Sequence, residues 1–369
     1  MKRVLFFIPF FHMGGAEKVA VNIMRLLDST FFEIHCVVVS SDKGPLQDLL
    51  PKNTKVHILD ASKTIFSIFK LRKIIVETKP EIVFSTLFRT HSALSIALLG
   101  LKVHPKVVFR NPTSPKIVLQ EKKMSFIELF LLKKVYSNAT IILAQTPEMR
   151  EEIVEFFHQK KDKIYTLINP LDIVEINKSI EKIDNPFNDD YINIVASGRL
   201  SQEKGFDTLL QAFKQVIQKN DRFRLNILGR DTGAAESLLK MTKELMLERY
   251  VTFWGDQSNP YKFYYYSDLF VLSSRREGLP NTVLENLYLE KPIVATRCIP
   301  YMSVLIKEGK NGFLVDVDNI DALASAILKY NAICPEAANT KDMTNAINNL
   351  FKNLIQGRKI TSDSSSKMV

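Results

Sequence analysis

Short apolar runs recur along this chain, and each is followed by a stretch with helical spacing. Short buried strands that alternate with helices join a parallel sheet through crossover connections, so the pattern constrains the fold more than any other feature. In the first half the predicted strands are 4–8, 33–39, 56–59, 82–85, 106–109, 140–144 and 163–167, with helices such as 16–27, 65–78 and 148–157 between them. The alternation lapses in a polar stretch with an Asn-Pro break, then resumes. The second series has strands at 192–196, 224–228, 251–254, 269–272, 293–295 and 312–315, and helices at 206–218, 234–247, 282–289 and 320–330.

Two such series predict two tandem Rossmann-like α/β domains facing a central cleft. The expected boundaries are 1–172 for the first domain, 173–190 for a linker, 191–356 for the second domain and 357–369 for a disordered tail. The chain has 369 residues, enough for both domains. No long apolar run suits a bilayer span. The start, MKRVLFFIPFFHMGG, has basic residues before an apolar run but lacks a small-residue cleavage site, and it reads as the first buried strand. The cysteines, Cys36, Cys298 and Cys334, have neither metal nor redox spacing and fit a reducing cytoplasm. The net charge of +10 favours anionic partners. No helix-turn-helix, zinc-finger or aromatic RNA-binding signature accompanies it, so nucleic acid is not an expected partner.

Ligands of open α/β sheets bind beyond the carboxyl ends of the strands, and the candidate motifs fall there. Gly14 and Gly15 follow the first strand and open the first helix, where glycine lets a ligand approach the backbone N–H groups. Arg199 and Lys204 follow the first strand of the second series, and two cations there suit a diphosphate. The segment SRREGLPNTVLE places Glu277 before a Gly-Leu-Pro turn and Glu285 on the second turn of the next helix. Both carboxylates can accept hydrogen bonds from sugar hydroxyls. Gly278, Leu279, Pro280, Asn281 and Thr282 form the corner between them, with N–H groups at a helix N-terminus for an anionic phosphate. Asp316 and Asp318 mimic a DxD metal motif, but Asp318 reads as a helix N-cap and no metal is expected. His91 and Arg89 start a helix after a strand tip and are candidates for the acceptor side of the cleft.

These residues resemble a known group. GGAEKVA, SGRLSQEKGFDTLLQAF, SSRREGLPNTVLENL and KPIVAT are similar to the retaining GT-B glycosyltransferases of glycosyltransferase family four, with its E-x7-E motif. The likeness is densest from 192 to about 330. It implies transfer of a hexose or N-acetylhexosamine from a nucleoside diphosphate sugar, such as a UDP-sugar, with retained anomeric configuration and no bound metal. It implies that Arg199 and Lys204 hold the donor diphosphate, that Glu277 faces the donor sugar and that Glu285 binds the ribose. Gly14 and Gly15 let the first domain close on the diphosphate, and the 278–282 turn offers N–H groups to phosphate or sugar. Many members build bacterial surface polysaccharides (O-antigen, capsule) on polyprenyl-diphosphate-linked acceptors. A soluble acceptor, or a non-catalytic nucleotide-sugar-binding subunit, are the alternatives.

Two departures stand out. LENLYLEKP has Glu290 where the family usually has glycine, and RCIPYMSVL lacks the usual glycine after the next strand. The loop from Cys298 to Val304 therefore bears on donor choice and activity. SFIELFLLKKVY, at 125–136, is read either as an amphipathic helix on anionic lipid or as a core-packed helix with a basic edge. The expected location is cytoplasmic, peripheral to the inner face of the membrane.

Overall fold

A computed structural model describes residues 1–12, 14–122, 126–333, 335 and 342–358. The chain divides into two compact units, and the break follows Asp172. The first unit runs β1 (Lys2–Ile8), α1 (Gly15–Leu26), β2 (Phe32–Val38), β3 (Lys55–Ile58), α2 (Ile68–Thr78), β4 (Ile82–Thr86) and α3 (Phe88–Leu98). It continues with β5 (Lys106–Arg110), α4 (Pro115–Lys122), α5 (Phe126–Ser137), β6 (Ile141–Ala144), α6 (Pro147–Phe157) and β7 (Ile164–Thr166). The second unit runs α7 (Ile173–Ile180), β8 (Ile192–Ser197), α8 (Phe206–Lys219), β9 (Phe223–Leu228), α9 (Ala235–Glu244), β10 (Val251–Gly255), α10 (Tyr261–Tyr266) and β11 (Leu269–Leu272). It closes with α11 (Asn281–Tyr288), β12 (Ile293–Thr296), α12 (Met302–Leu305), β13 (Gly312–Val315) and α13 (Ile320–Leu328). A last helix, α14 (Asp342–Gln356), belongs to the first unit.

Each unit holds one parallel sheet, seven-stranded in the order β3-β2-β1-β4-β5-β6-β7 and six-stranded in the order β10-β9-β8-β11-β12-β13. The alternation along β1 explains its double burial. Val4, Phe6 and Ile8 enter one core with α1, while Leu5 and Phe7 enter the core on the other face. In each sheet the order reverses once, between β1 and β4 and between β8 and β11. Loops leaving the two strands at such a point part in opposite directions and leave a crevice for ligands.

The structure differs from the expected boundaries in two places. The stretch 173–190 begins with α7, whose Ile176 is buried and whose Asn177 accepts from the Tyr288 hydroxyl at 2.9 Å, so it is docked on the second unit. The expected second domain, 191–356, takes in the residues of α14. The apolar stripe of this helix, Ile347, Leu350, Phe351 and Leu354, instead joins the first unit's core with Phe6 and Phe32. The Phe351 ring lies 6.3 Å from Phe6, and Lys352 pairs with Asp28 at 3.0 Å. Most of the expected tail lies outside the described residues.

Candidate active site

The crevice of the second unit is built by two loops, one after β8 and one after β11. The β8 loop turns through Gly205, whose φ of +62° belongs to the left-handed region that glycine occupies freely. A Cβ at this position would stand 2.2 Å from the Ser273 carbonyl oxygen at the end of β11. Glycine is thus required twice, for its backbone angle and for the contact between the loops. Ser273 Oγ donates to the Lys204 carbonyl at 2.9 Å, and the Arg275 N–H donates to the Glu203 carbonyl at 2.8 Å.

This stitching aims Lys204 at Glu277. Lys204 Nζ donates to Glu277 Oε1 at 2.6 Å, and Ser274 Oγ donates to the same oxygen at 2.7 Å. The two side chains are 17% and 13% exposed, buried enough to hold one geometry yet open to a ligand. The Lys204 stem lies across the bare Cα of Gly198, where a Cβ would meet it at 3.2 Å.

Arg275 locks the two loops from behind. Its guanidinium binds the Asp207 carboxylate at 2.9 and 2.7 Å, Asp318 at 2.9 and 3.1 Å and Thr208 Oγ1 at 3.1 Å. The paired Asp207 pushes the guanidinium further up its range, and Arg275 in turn holds the Asp318 carboxyl below the usual aspartate range. Sequence reasoning did not single out Arg275; its only signal was the doubled arginine before Glu277. Asp318 was expected as an N-cap. The cap is Asn319, whose side chain accepts from the Ala322 N–H at 3.0 Å. Asp318 faces Arg275 and Thr208 instead, and Asp316 lies 3.7 Å from Arg297.

The remaining donor-side candidates are placed as follows. Arg199 is 55% exposed and pairs with Glu203 four residues on. Glu285 is only 2% exposed, inside α11. Helix α11 begins at Asn281 after Pro280, which has no side-chain oxygen to act as a cap, and Gly278, Asn281 and Thr282 are half-buried while Leu279 and Pro280 are buried. Glu290 just follows α11 with φ +55°, the conformation for which the family's usual glycine is suited. In the departing loop, burial and then the Glu277 carboxylate push the Cys298 thiol up to about 12, which puts this loop within electrostatic reach of the site.

In the first unit, Gly15 opens α1 and Gly14 precedes it at φ −108°, outside the left-handed region. Arg110 ends β5 and is buried. It donates to Asn169 Oδ1 and, at 3.4 Å, to Thr86 Oγ1. Burial pulls its guanidinium down to about 9, against the opposing pull of the Glu17 carboxylate. This charge was missed in the sequence because it closes an apolar run. His91 was expected on the cleft, and the structure corrects that placement. It is wholly buried, stacked on Phe109 with ring centroids 4.3 Å apart, and its Nδ1 meets Ser85 Oγ at 2.7 Å. Burial draws its imidazole down to about 3, so it is neutral at ordinary pH. Arg89, two residues earlier, is exposed.

Two parallel α/β units, each with its crevice at a strand reversal, are the arrangement of the GT-B class of sugar transferases. Family models agree: "Glycosyltransferase Family 4" matches residues 13–175 and "Glycosyl transferases group 1" matches residues 177–344. The chain belongs to this group and is a GT-B glycosyltransferase of the family-four type. It is 32% identical over 267 residues to an uncharacterized glycosyltransferase of Methanocaldococcus jannaschii, covering 68% of this chain and 64% of that protein. It is 28% identical, over 88% of both chains, to the Campylobacter jejuni N-acetylgalactosamine-N,N'-diacetylbacillosaminyl-diphospho-undecaprenol 4-alpha-N-acetylgalactosaminyltransferase. The crystal structure of Anabaena HepE in complex with UDP shares the fold, with a TM-score of 0.73 at 16% identity, covering 97% of this chain and all of that one.

Proposed function

We propose that this enzyme transfers a hexose or N-acetylhexosamine, with retention, from a UDP-sugar to a polyprenyl-diphosphate-linked glycan during bacterial surface polysaccharide assembly. The observation that carries the reading is the Lys204–Glu277 pair at the reversal of the second sheet. A departing nucleoside diphosphate gains negative charge as the glycosidic bond breaks. Lys204 is preorganised to stabilise that charge, and the N-terminus of α11 adds its dipole. Glu277, fixed by Ser274 and Lys204, faces the donor sugar, and Glu285 serves the ribose side of the pocket. Arg199 supplies a second cation at the rim. The departing phosphate accepts the acceptor's proton, so no separate protein base is needed.

The undecaprenol-linked acceptor named for the Campylobacter relative supports the acceptor class, and UDP bound to the Anabaena neighbour supports the donor class. Among the described residues no helix is long and apolar enough to cross a membrane. The segment 125–136, read as one that meets anionic lipid, carries exposed apolar side chains, with Ile127 72% and Phe130 65% exposed. The exposed apolar side chains of this segment support action at a membrane surface, and the reading places the enzyme at the inner face of the cytoplasmic membrane.

The test is a screen of UDP-sugars against membranes that carry lipid-linked glycans, with products read by mass spectrometry and anomeric configuration by NMR. One sugar is expected to add with its configuration kept, in the presence of EDTA. Inversion would refute the retaining mechanism, and loss in EDTA restored by manganese would refute the metal-free one. Addition only to soluble sugars would refute the acceptor class.

A further inference from the structure

Helices α3 and α5 of the first unit enclose a cavity of about 500 Å³, within the range of about 300–1,000 Å³ typical of ligand sites. Phe88, Ile96, Leu99, Leu131, Leu132 and Val135 make its wall mostly hydrocarbon. Ile96, Leu99 and Leu131 are also solvent-exposed, so the cavity opens outward between the helices.

Two features favour a chain with an anionic head over a second protein surface. The space is a slot between two helices, not a flat patch. The lining also carries exposed Arg89 and Lys134 against a single carboxylate, Glu128, a positive balance that suits a phosphate at the mouth. Position gives the direction. Helix α3 starts two residues after β4 ends, at the strand reversal where ligands of such sheets bind. The intervening Leu87 holds φ +86°, a costly angle for a branched residue.

We propose that this slot receives the isoprenoid chain of the acceptor, with the diphosphate head turned toward Arg89 and the carboxyl edge of the first sheet. The inference deepens the reading that the acceptor is polyprenyl-linked and rests on it. Its test requires no sugar transfer, so the two can fail separately. The full-length protein is photolabelled with a benzophenone-tagged geranylgeranyl diphosphate, and the adducts are mapped by mass spectrometry. Label is expected in 88–99 and 127–138, displaced by unlabelled geranylgeranyl diphosphate and not by inorganic diphosphate. The double variant Ile96→Asp, Leu131→Asp, both at exposed positions, should lose label at least tenfold while its melt and its UDP affinity hold. In transfer assays the same variant should raise KM for a long-chain acceptor about tenfold, leaving kcat and a short-chain acceptor's KM unchanged. Label outside these helices, displacement by inorganic diphosphate, equal displacement by plain phosphatidylglycerol vesicles, or equal effects on long and short acceptors would each overturn the assignment. Correct labelling without any transfer to prenyl-linked glycans would keep the slot and refute the proposed reaction.

Discussion

Gly205→Ala tests how the donor site is held together, with Gly309→Ala as its matched control. Both glycines occupy the left-handed region, at φ +62° and +72°. An alanine there costs about 1–2 kcal/mol in backbone strain. They differ in what a Cβ meets: nothing within 4 Å at Gly309, but the Ser273 carbonyl oxygen at 2.2 Å at Gly205. That oxygen is backbone at the end of β11 and cannot swing aside as a side chain would. Relief requires the two loops to part, at a further cost of about 1–3 kcal/mol by analogy with overpacked cores. A domain of this size loses about 2–4 °C per kcal/mol, so Gly309→Ala should lower the melting temperature by roughly 5 °C and Gly205→Ala by roughly 10 °C or more. Parting the loops also displaces Lys204, the neighbouring residue. UDP affinity should therefore fall about tenfold, or about 1.4 kcal/mol, in Gly205→Ala and stay unchanged in Gly309→Ala. Scanning calorimetry and UDP titration give both quantities. Equal melting shifts, or a Gly205→Ala protein with native UDP affinity, would refute the reasoning.

Three further outcomes are expected. Glu290→Gly should stabilise the fold by about 0.5–1 kcal/mol, read by thermal melting, because it removes a left-handed glutamate at φ +55°. His91, with its folded value drawn down to about 3 from 6.5, stays neutral in the fold while the unfolded chain takes up a proton. Its contribution is therefore complete above about pH 6.5 and shrinks as pH falls, by about 2 kcal/mol at pH 5, and denaturant titrations of His91→Phe should show a flatter loss of stability over that window. Arg199→Ala removes a half-exposed side chain paired only to Glu203 among the contacts described, so kcat should fall by about tenfold or less, clearly less than the roughly hundredfold expected when a preorganised charge such as Lys204 is removed.

Much of this architecture was legible because parallel α/β folds write themselves locally. Runs such as LFFIP and FVLSS are buried on both sides and admit few alternatives to a central strand. The Lys204–Glu277 meeting was approachable for the same reason: both residues follow strand ends, and strand ends next to a reversal converge. What escaped depends on distance in sequence. Arg275 is defined by Asp207 and Asp318, 68 and 43 residues away, and no local pattern announces such a clamp. Helix α14 has an ordinary amphipathic stripe, and nothing in the stripe says which sheet it will cover. His91 follows a strand tip like a ligand-binding residue. Its burial depends on Phe109 and Tyr136, which arrive from β5 and α5.

The central claim is that Lys204 holds the diphosphate of a nucleotide-sugar donor at the reversal of the second sheet. Calorimetric titration of UDP into the wild-type protein and Lys204→Ala tests it most directly. A charge-assisted hydrogen bond is worth about 1.5–3 kcal/mol, so the variant should bind UDP about tenfold to a hundredfold more weakly while its melting temperature stays near that of the wild type. Equal UDP affinity in the two proteins, with the variant's fold intact, would contradict the account.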